Sequence, residues 1–135
     1  MLKLSKRTEY AIMAARYLAL KNSGNCVTAK EIAEDYQIPY QFVAKVLQDF
    51  ARTEMVSSIQ GSKGGYVLNR LPEEISLIDI ISTVEENHQL TECMQEDANK
   101  TSCEHIDCCK IRDPLIEVQR KIDSLFAQTS LKQIL

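Results

Sequence analysis

The sequence predicts a mainly α-helical fold that carries one small β-hairpin. Three observations predict it. Capping signatures open short amphipathic segments at Ser5, Thr28 and Ser76. A connector with three glycines in six residues, Gln60 to Gly65, separates two short apolar runs. An apolar stripe at helical spacing follows Asp113-Pro114 near the end of the 135-residue chain.

Taken in order, residues from about 5 to 22 read as a helix. Ser5 can cap it, and Tyr10, Met13, Ala14, Tyr17 and Leu18 recur at helical spacing. Asn22-Ser23-Gly24-Asn25 ends it. Thr28 and Glu31 form a capping box that opens a short helix with Ile32, Ala33 and Tyr36 inward. Gln37-Ile38 is a brief turn, and Pro39 suits the first position of a third helix. That helix is expected to turn Phe42, Val43, Val46, Leu47 and Phe50 inward, leaving Tyr40, Gln41 and Lys45 on or near the other face. Strands Val56–Ile59 and Tyr66–Leu68 flank the glycine-rich tip, where positive φ angles are expected. Ser76 and Asp79 cap a helix to about Glu85. Asp113 caps the last helix, with Pro114 at its first position, running to about Gln128. Its Leu115, Val118, Ile122 and Leu125 stripe, with Phe126 beside it, suits packing against a second copy of the chain.

A short capped helix, a brief turn, a second helix and a two-stranded hairpin occur in the order of a winged helix-turn-helix. In that geometry the helix from Pro39 lies in the major groove of double-stranded DNA. Tyr40, Gln41 and Lys45 can then reach bases or phosphates, backbone N–H groups at the Thr28 helix start can bind a phosphate, and Lys63 at the hairpin tip can touch the flanking backbone. The bland alternative is a helical interaction module with Lys63 as a solvated turn residue. Residues 1–75 carry a formal charge of +2 and residues 76–135 carry −5, so DNA would meet the N-terminal part. So small an excess implies that two modules pair on the duplex.

Four of the five cysteines, Cys93, Cys103, Cys108 and Cys109, fall in one stretch with His105 among them. Thiolates are soft anionic ligands suited to iron–sulfur clusters and zinc. No Cys-x2-Cys pair exists, which disfavours a compact zinc knuckle. A cluster-free thiol switch or a zinc site remains as an alternative. Between residues 85 and 107, seven carboxylates (Glu85, Glu86, Glu92, Glu96, Asp97, Glu104 and Asp107) face only Lys100. That surround lowers the reduction potential of any cluster held there, and without metal it predicts a disordered loop. Cys26 reads as a small buried side chain and His88 as a solvated loop residue.

No apolar run spans a bilayer and no signal-peptide pattern opens the chain, which predicts a cytoplasmic protein with no membrane partner. No Ser/His/Asp or paired-carboxylate arrangement stands out, so an enzyme is not expected. A small electron-transfer iron–sulfur protein is a distant rival, with no reason to keep a capped helix pair and a wing.

The segments Leu4–Ala11, Met55–Leu68 and Ile75–Ile80 resemble the bacterial winged-helix regulator family that includes IscR- and NsrR-type proteins, most specifically in the Val-Ser-Ser…Gly…Gly-Gly-Tyr wing. The likeness covers nearly the whole chain. It implies a homodimeric transcription regulator, with repression the expected mode, that responds to cluster status, nitric oxide or redox state. It implies phosphate contacts near Thr28 and Lys30, base readout from Tyr40, Gln41 and Lys45, and wing contacts from Gln60, Gly61, Ser62, Lys63, Gly64 and Gly65. Many similar proteins have Arg where Gln60 stands, so weaker minor-groove contact or altered site preference is expected. It also implies a cluster, 2Fe-2S or 4Fe-4S, on three cysteines. Cys103-x5-Cys109 matches one familiar interval, and Cys93 matches the first ligand by position across a longer gap. Glu9 occupies the place of an acidic fourth ligand, and His105 and Cys108 are its competitors; for Glu9 the alternative is a surface residue of a first helical turn. The expected organisation is a DNA-binding domain at 1–85, a cluster loop at 86–112, and a dimerisation helix with its tail at 113–135.

Overall fold

The computed structural model describes residues 2–21, 24–94, 103–105 and 107–135. Among these, five α-helices and one hairpin follow the order α1 Lys6–Leu20, α2 Ala29–Tyr36, α3 Tyr40–Arg52, β1 Val56–Ile59, β2 Gly65–Leu68, α4 Leu77–Val84 and α5 Arg112–Gln128. Short 3-10 turns lie at Pro72–Glu74, Glu92–Met94 and Leu131–Ile134.

Local hydrogen bonding sets the helix starts. The Ser5 hydroxyl accepts the Thr8 N–H at 3.1 Å. Thr28 and Glu31 exchange side-chain and backbone bonds at 3.1 and 3.3 Å, and Ser76 and Asp79 do the same at 3.2 and 3.0 Å. Gln37 closes α2 in the left-handed region, at φ 54°, and Ile38 then drops into the core. Pro39 is the N-cap of α3 rather than its first residue, because its ψ of 129° is extended and Tyr40 begins the helical turn. Likewise α5 starts at Arg112, so Asp113 lies inside the first turn, where its charge still suits the positive end of the helix.

The core is a single cluster in which Phe50, Leu47, Ile32, Met55, Ile75, Ile80 and Leu131 are fully buried. α1 packs on α3 and α4, α2 packs on α3, and α5 packs on α4. β1 and β2 pair antiparallel from Val56↔Leu68 to Ile59↔Gly65. The hairpin is also tied to the strand-like residue before α2. Val27 N–H donates to Tyr66 at 3.0 Å, and Tyr66 N–H donates to Val27 at 2.7 Å.

Glycine at 65 is required by that third contact. Its φ is +152°, and a Cβ there would meet the Val27 carbonyl oxygen at 2.7 Å. At Gly64 a Cβ would meet the Ile59 carbonyl oxygen at 2.1 Å, inside the closed tip.

Further sequence expectations change. Phe42 is 46% exposed rather than inward; it lies at the edge of the α3 stripe, with its ring 5.6 Å from that of Tyr10. The last helix is expected to offer its stripe to a second copy, yet after α5 the chain returns through Leu131–Ile134 onto its own core. Leu131 N–H donates to Ile75 at 2.7 Å and Leu77 N–H donates to Thr129 at 2.9 Å. Of the α5 stripe, Val118 and Leu125 remain 42% and 63% exposed, whereas Leu115 and Ile122 are half-buried. His88 is half-buried, with Nε2 3.8 Å from the Asp123 carboxylate, and Cys26 is half-buried rather than buried.

Candidate nucleic-acid interface and cysteine segment

The α2–turn–α3 unit presents one exposed edge. Tyr40 is 58% exposed, and Gln41 and Lys45 are also exposed beside it. Lys30 lies in the first turn of α2, exposed, 3.8 Å from Glu34. At the start of α2 the capping box already uses the Thr28 and Glu31 N–H groups. An incoming phosphate oxygen would therefore be met by the N–H groups between them and by the Lys30 ammonium.

The wing tip exposes Gly61, Ser62 and Lys63, while Gly64 and Gly65 are half-buried under it. Gln60 is exposed, and its side-chain amide donates to Ser58 at 3.3 Å. The carbonyl end of that amide is a neutral acceptor where a guanidinium would bring charge.

Beside Lys45 stands a carboxylate that sequence reasoning passed over. Asp49 is on the inner side of α3 and 1% exposed. Three cations converge on it: Arg7 at 2.6 Å, Lys45 at 3.1 Å and Arg52 at 3.0 Å. Burial pushes its carboxyl group up, but the hydrogen bonds and charges of Lys45 and Arg7 outweigh that and hold it below the usual carboxylate range. The signal was present: an acid sits in the apolar stripe between Val46 and Phe50, with Lys four residues before it and Arg three after. What the sequence does not display is that Arg7, from another helix, completes the set.

The cysteine segment is placed between α4 and α5. Cys93 is half-buried, with the Thr91 hydroxyl 3.1 Å from its sulfur. Cys109 is half-buried, Cys103 and Cys108 are exposed, and all are free thiols. His105 is exposed, and its backbone carbonyl lies 3.6 Å from the Cys108 sulfur. The expected disorder of this loop falls mainly on residues 95–102, outside the described residues.

Glu9 lies in the first turn of α1, where its carboxylate pairs with Lys6 at 2.6 Å and raises the Lys6 ammonium pKa through that hydrogen bond. Among the described residues no three Cys, His, Asp or Glu side chains gather into a preformed metal site. The donor set nevertheless fits an iron–sulfur cluster chemically: accessible free thiols in one segment, with carboxylates at hand.

Behind this segment, buried Gln119 of α5 accepts the Leu90 N–H at 2.7 Å and donates to Asp123 at 2.8 Å. At the other end of the same region, Glu85 accepts hydrogen bonds from Ser5 and Thr8, a carboxylate placed at the positive end of α1. No helix among the described residues is long and apolar enough to cross a membrane.

Comparison with known proteins agrees with this architecture. The chain is 26% identical over 133 residues to the HTH-type transcriptional regulator NsrR of Shouchella clausii, covering 98% of this chain and 88% of that one. To the HTH-type transcriptional regulator NsrR of Bacillus subtilis it is 30% identical over 116 residues, covering 86% and 78%. Among solved structures, CymR (YrzC), the global cysteine regulator of B. subtilis, superposes with a TM-score of 0.76 at 25% identity, covering 99% of this chain and 96% of that one. T. potens IscR shares the fold at a TM-score of 0.76 and 23% identity, covering 98% and 85%. Residues 4–135 match the Rrf2 family, described as an iron-dependent transcriptional regulator. With its winged helix-turn-helix and a family of regulators rather than enzymes around it, the chain belongs to the Rrf2 family of DNA-binding transcriptional regulators.

Proposed function

We propose that the protein is a homodimeric repressor whose hold on promoter DNA is set by an iron–sulfur cluster carried in the cysteine segment. The observation that carries this reading is the placement of four free thiols between the winged-helix core and α5, in a chain of an iron-dependent regulator family. Cys93, Cys103 and Cys109 are the proposed ligands, with Glu9 as the fourth and Cys108 or His105 in its place if Glu9 stays with Lys6. When bound, such a cluster supplies a centre that reacts with nitric oxide and oxidants and ties its ligands together.

The protein's own residues do the rest. Gathering Cys93 and Cys109 would pull the segments flanking α4 and α5, and the Leu90–Gln119 bond passes that displacement to α5. If Val118 and Leu125 meet their counterparts in a second copy, movement of α5 alters the separation of the two α3 helices on DNA. Tyr40, Gln41 and Lys45 read bases, Thr28 and Lys30 contact phosphate, and Gln60 to Gly65 meet the flanking groove. In this scheme 1–85 is the reading unit, 86–112 the sensing loop and 113–135 the pairing segment.

The test is protein purified without oxygen and assayed for iron, sulfide and visible absorbance. Stoichiometric iron that disappears in a Cys93→Ala, Cys103→Ala, Cys109→Ala triple variant, together with changed promoter affinity, is the expected result. Colourless protein even after reconstitution would leave a second reading: a regulator that responds to a metabolite, a partner protein or thiol oxidation. The likeness to CymR, the global cysteine regulator of B. subtilis, favours that second reading.

A further inference from the structure

We infer that Asp49 is a positioning residue for DNA recognition: it steadies Lys45 for base readout and holds the Arg7 and Arg52 guanidinium groups where they contact duplex phosphates. The inference rests on the DNA-binding role of α3.

Asp49 is 1% exposed, yet the three side chains bound to it are 41%, 55% and 67% exposed at Arg7, Lys45 and Arg52. The carboxylate is thus an internal anchor, and the cations fan outward from it. One cation would suffice to compensate a buried carboxylate. Three leave a formal excess of two positive charges at the solvent edge of the helix expected in the groove.

Spacing supports the same conclusion. Lys45, Asp49 and Arg52 follow one another at four- and three-residue steps, so they line one face of α3. Arg7 is delivered from the first turn of α1. One step toward the start of α3, the exposed ring of Phe42 packs near Tyr10, so α1 and α3 are held together on both sides of Lys45.

A lysine or arginine free in solvent must surrender side-chain freedom when it grips a phosphate. Side chains already held by Asp49 have given up much of that freedom before DNA arrives. Each also keeps donors beyond the one directed at Asp49, because an ammonium has three and a guanidinium five. In a chain of net charge −3, a fixed cationic row on the recognition helix is a local exception suited to a polyanion.

The experiment compares two duplexes. One is selected from a random-sequence pool by the wild-type protein; the other is an unselected random-sequence duplex. Asp49→Asn keeps the shape and removes the charge. Folding is checked by circular dichroism and thermal melting. If Asp49 positions the cations, affinity for the selected duplex falls about tenfold, while affinity for the random duplex holds or rises because a negative charge is gone. Arg52→Gln and Arg7→Gln each lower the slope of log affinity against log salt by about 0.9 per subunit bound.

A gain on both duplexes would make Asp49 a charge and nothing more, overturning the positioning role. If Asp49→Asn does not fold, the arginine variants decide: an unchanged salt slope in Arg52→Gln, an exposed side chain whose loss spares the core, overturns the phosphate contacts. A wild-type protein that enriches no duplex would overturn the DNA-reading role of α3 itself, before any variant is made.

Discussion

The Leu90 backbone N–H donates to the side-chain oxygen of Gln119 at 2.7 Å. Gln119 is 5% exposed, so the pair ties the chain ahead of the cysteines to a buried side chain in the middle of α5. Replacing Gln119 by Leu keeps the bulk and strands the Leu90 N–H. The expected cost is about 1–3 kcal/mol in urea unfolding. Hydrogen exchange at the Leu90 amide should accelerate more than exchange in α3, and equal acceleration everywhere would count against a local tie.

The wing gives a prediction that separates two kinds of glycine. At Gly61 a Cβ meets nothing within 4 Å, although φ is +115°. At Gly65 it meets the Val27 backbone at 2.7 Å and Cys26 Cβ at 3.1 Å, and φ is +152°. Gly61→Ala should therefore lose only about 1 kcal/mol to backbone strain. Gly65→Ala should lose roughly 2–3 kcal/mol and loosen the bridge between Val27 and Tyr66. Urea titration of both variants checks the order, which would be reversed if strain alone mattered.

Tyr17 supplies the clearest pH dependence. Its hydroxyl donates to the Asp35 carboxylate, and that bond, with burial behind it, raises the phenol from the ordinary 10.0 to about 12. Below pH 10 both folded and unfolded chains keep the proton, so this group adds no slope. Between 10 and about 12 the unfolded chain releases it and the folded chain does not, so stability falls as pH rises. Tyr17→Phe should flatten that alkaline fall in melting temperature, and an unchanged slope would show that other groups cause it.

Local chemistry was legible in the chain. The Ser5, Thr28 and Ser76 starts depend on side chains three residues apart, and each forms as the spacing predicts. The glycine tip and the strand pair were also legible, since turn geometry restricts residue type. Nonlocal contacts were not. Nothing near Phe42 says that its ring will sit at the rim beside Tyr10, 32 positions earlier. Arg7 and Asp49 are 42 residues apart, and only folding shows why an acid was tolerated in an apolar stripe. Of the candidate site, Tyr40, Gln41 and Lys63 stand exposed as helix period and turn position require. The cysteines could be picked out by type and spacing, but spacing along a chain says nothing of where sulfur atoms converge.

The return of the chain at Leu131 changes what α5 is mechanically. With Ser130 bridged to Ser76 and Arg16 donating to the Ile134 carbonyl at 3.1 Å, the far end of that helix is riveted to the body that carries α3. It is a strut pinned at its foot, not a swinging arm. Under the proposed switch, a displacement at its cysteine end would be resisted at this pinned end and passed into the body that carries α3.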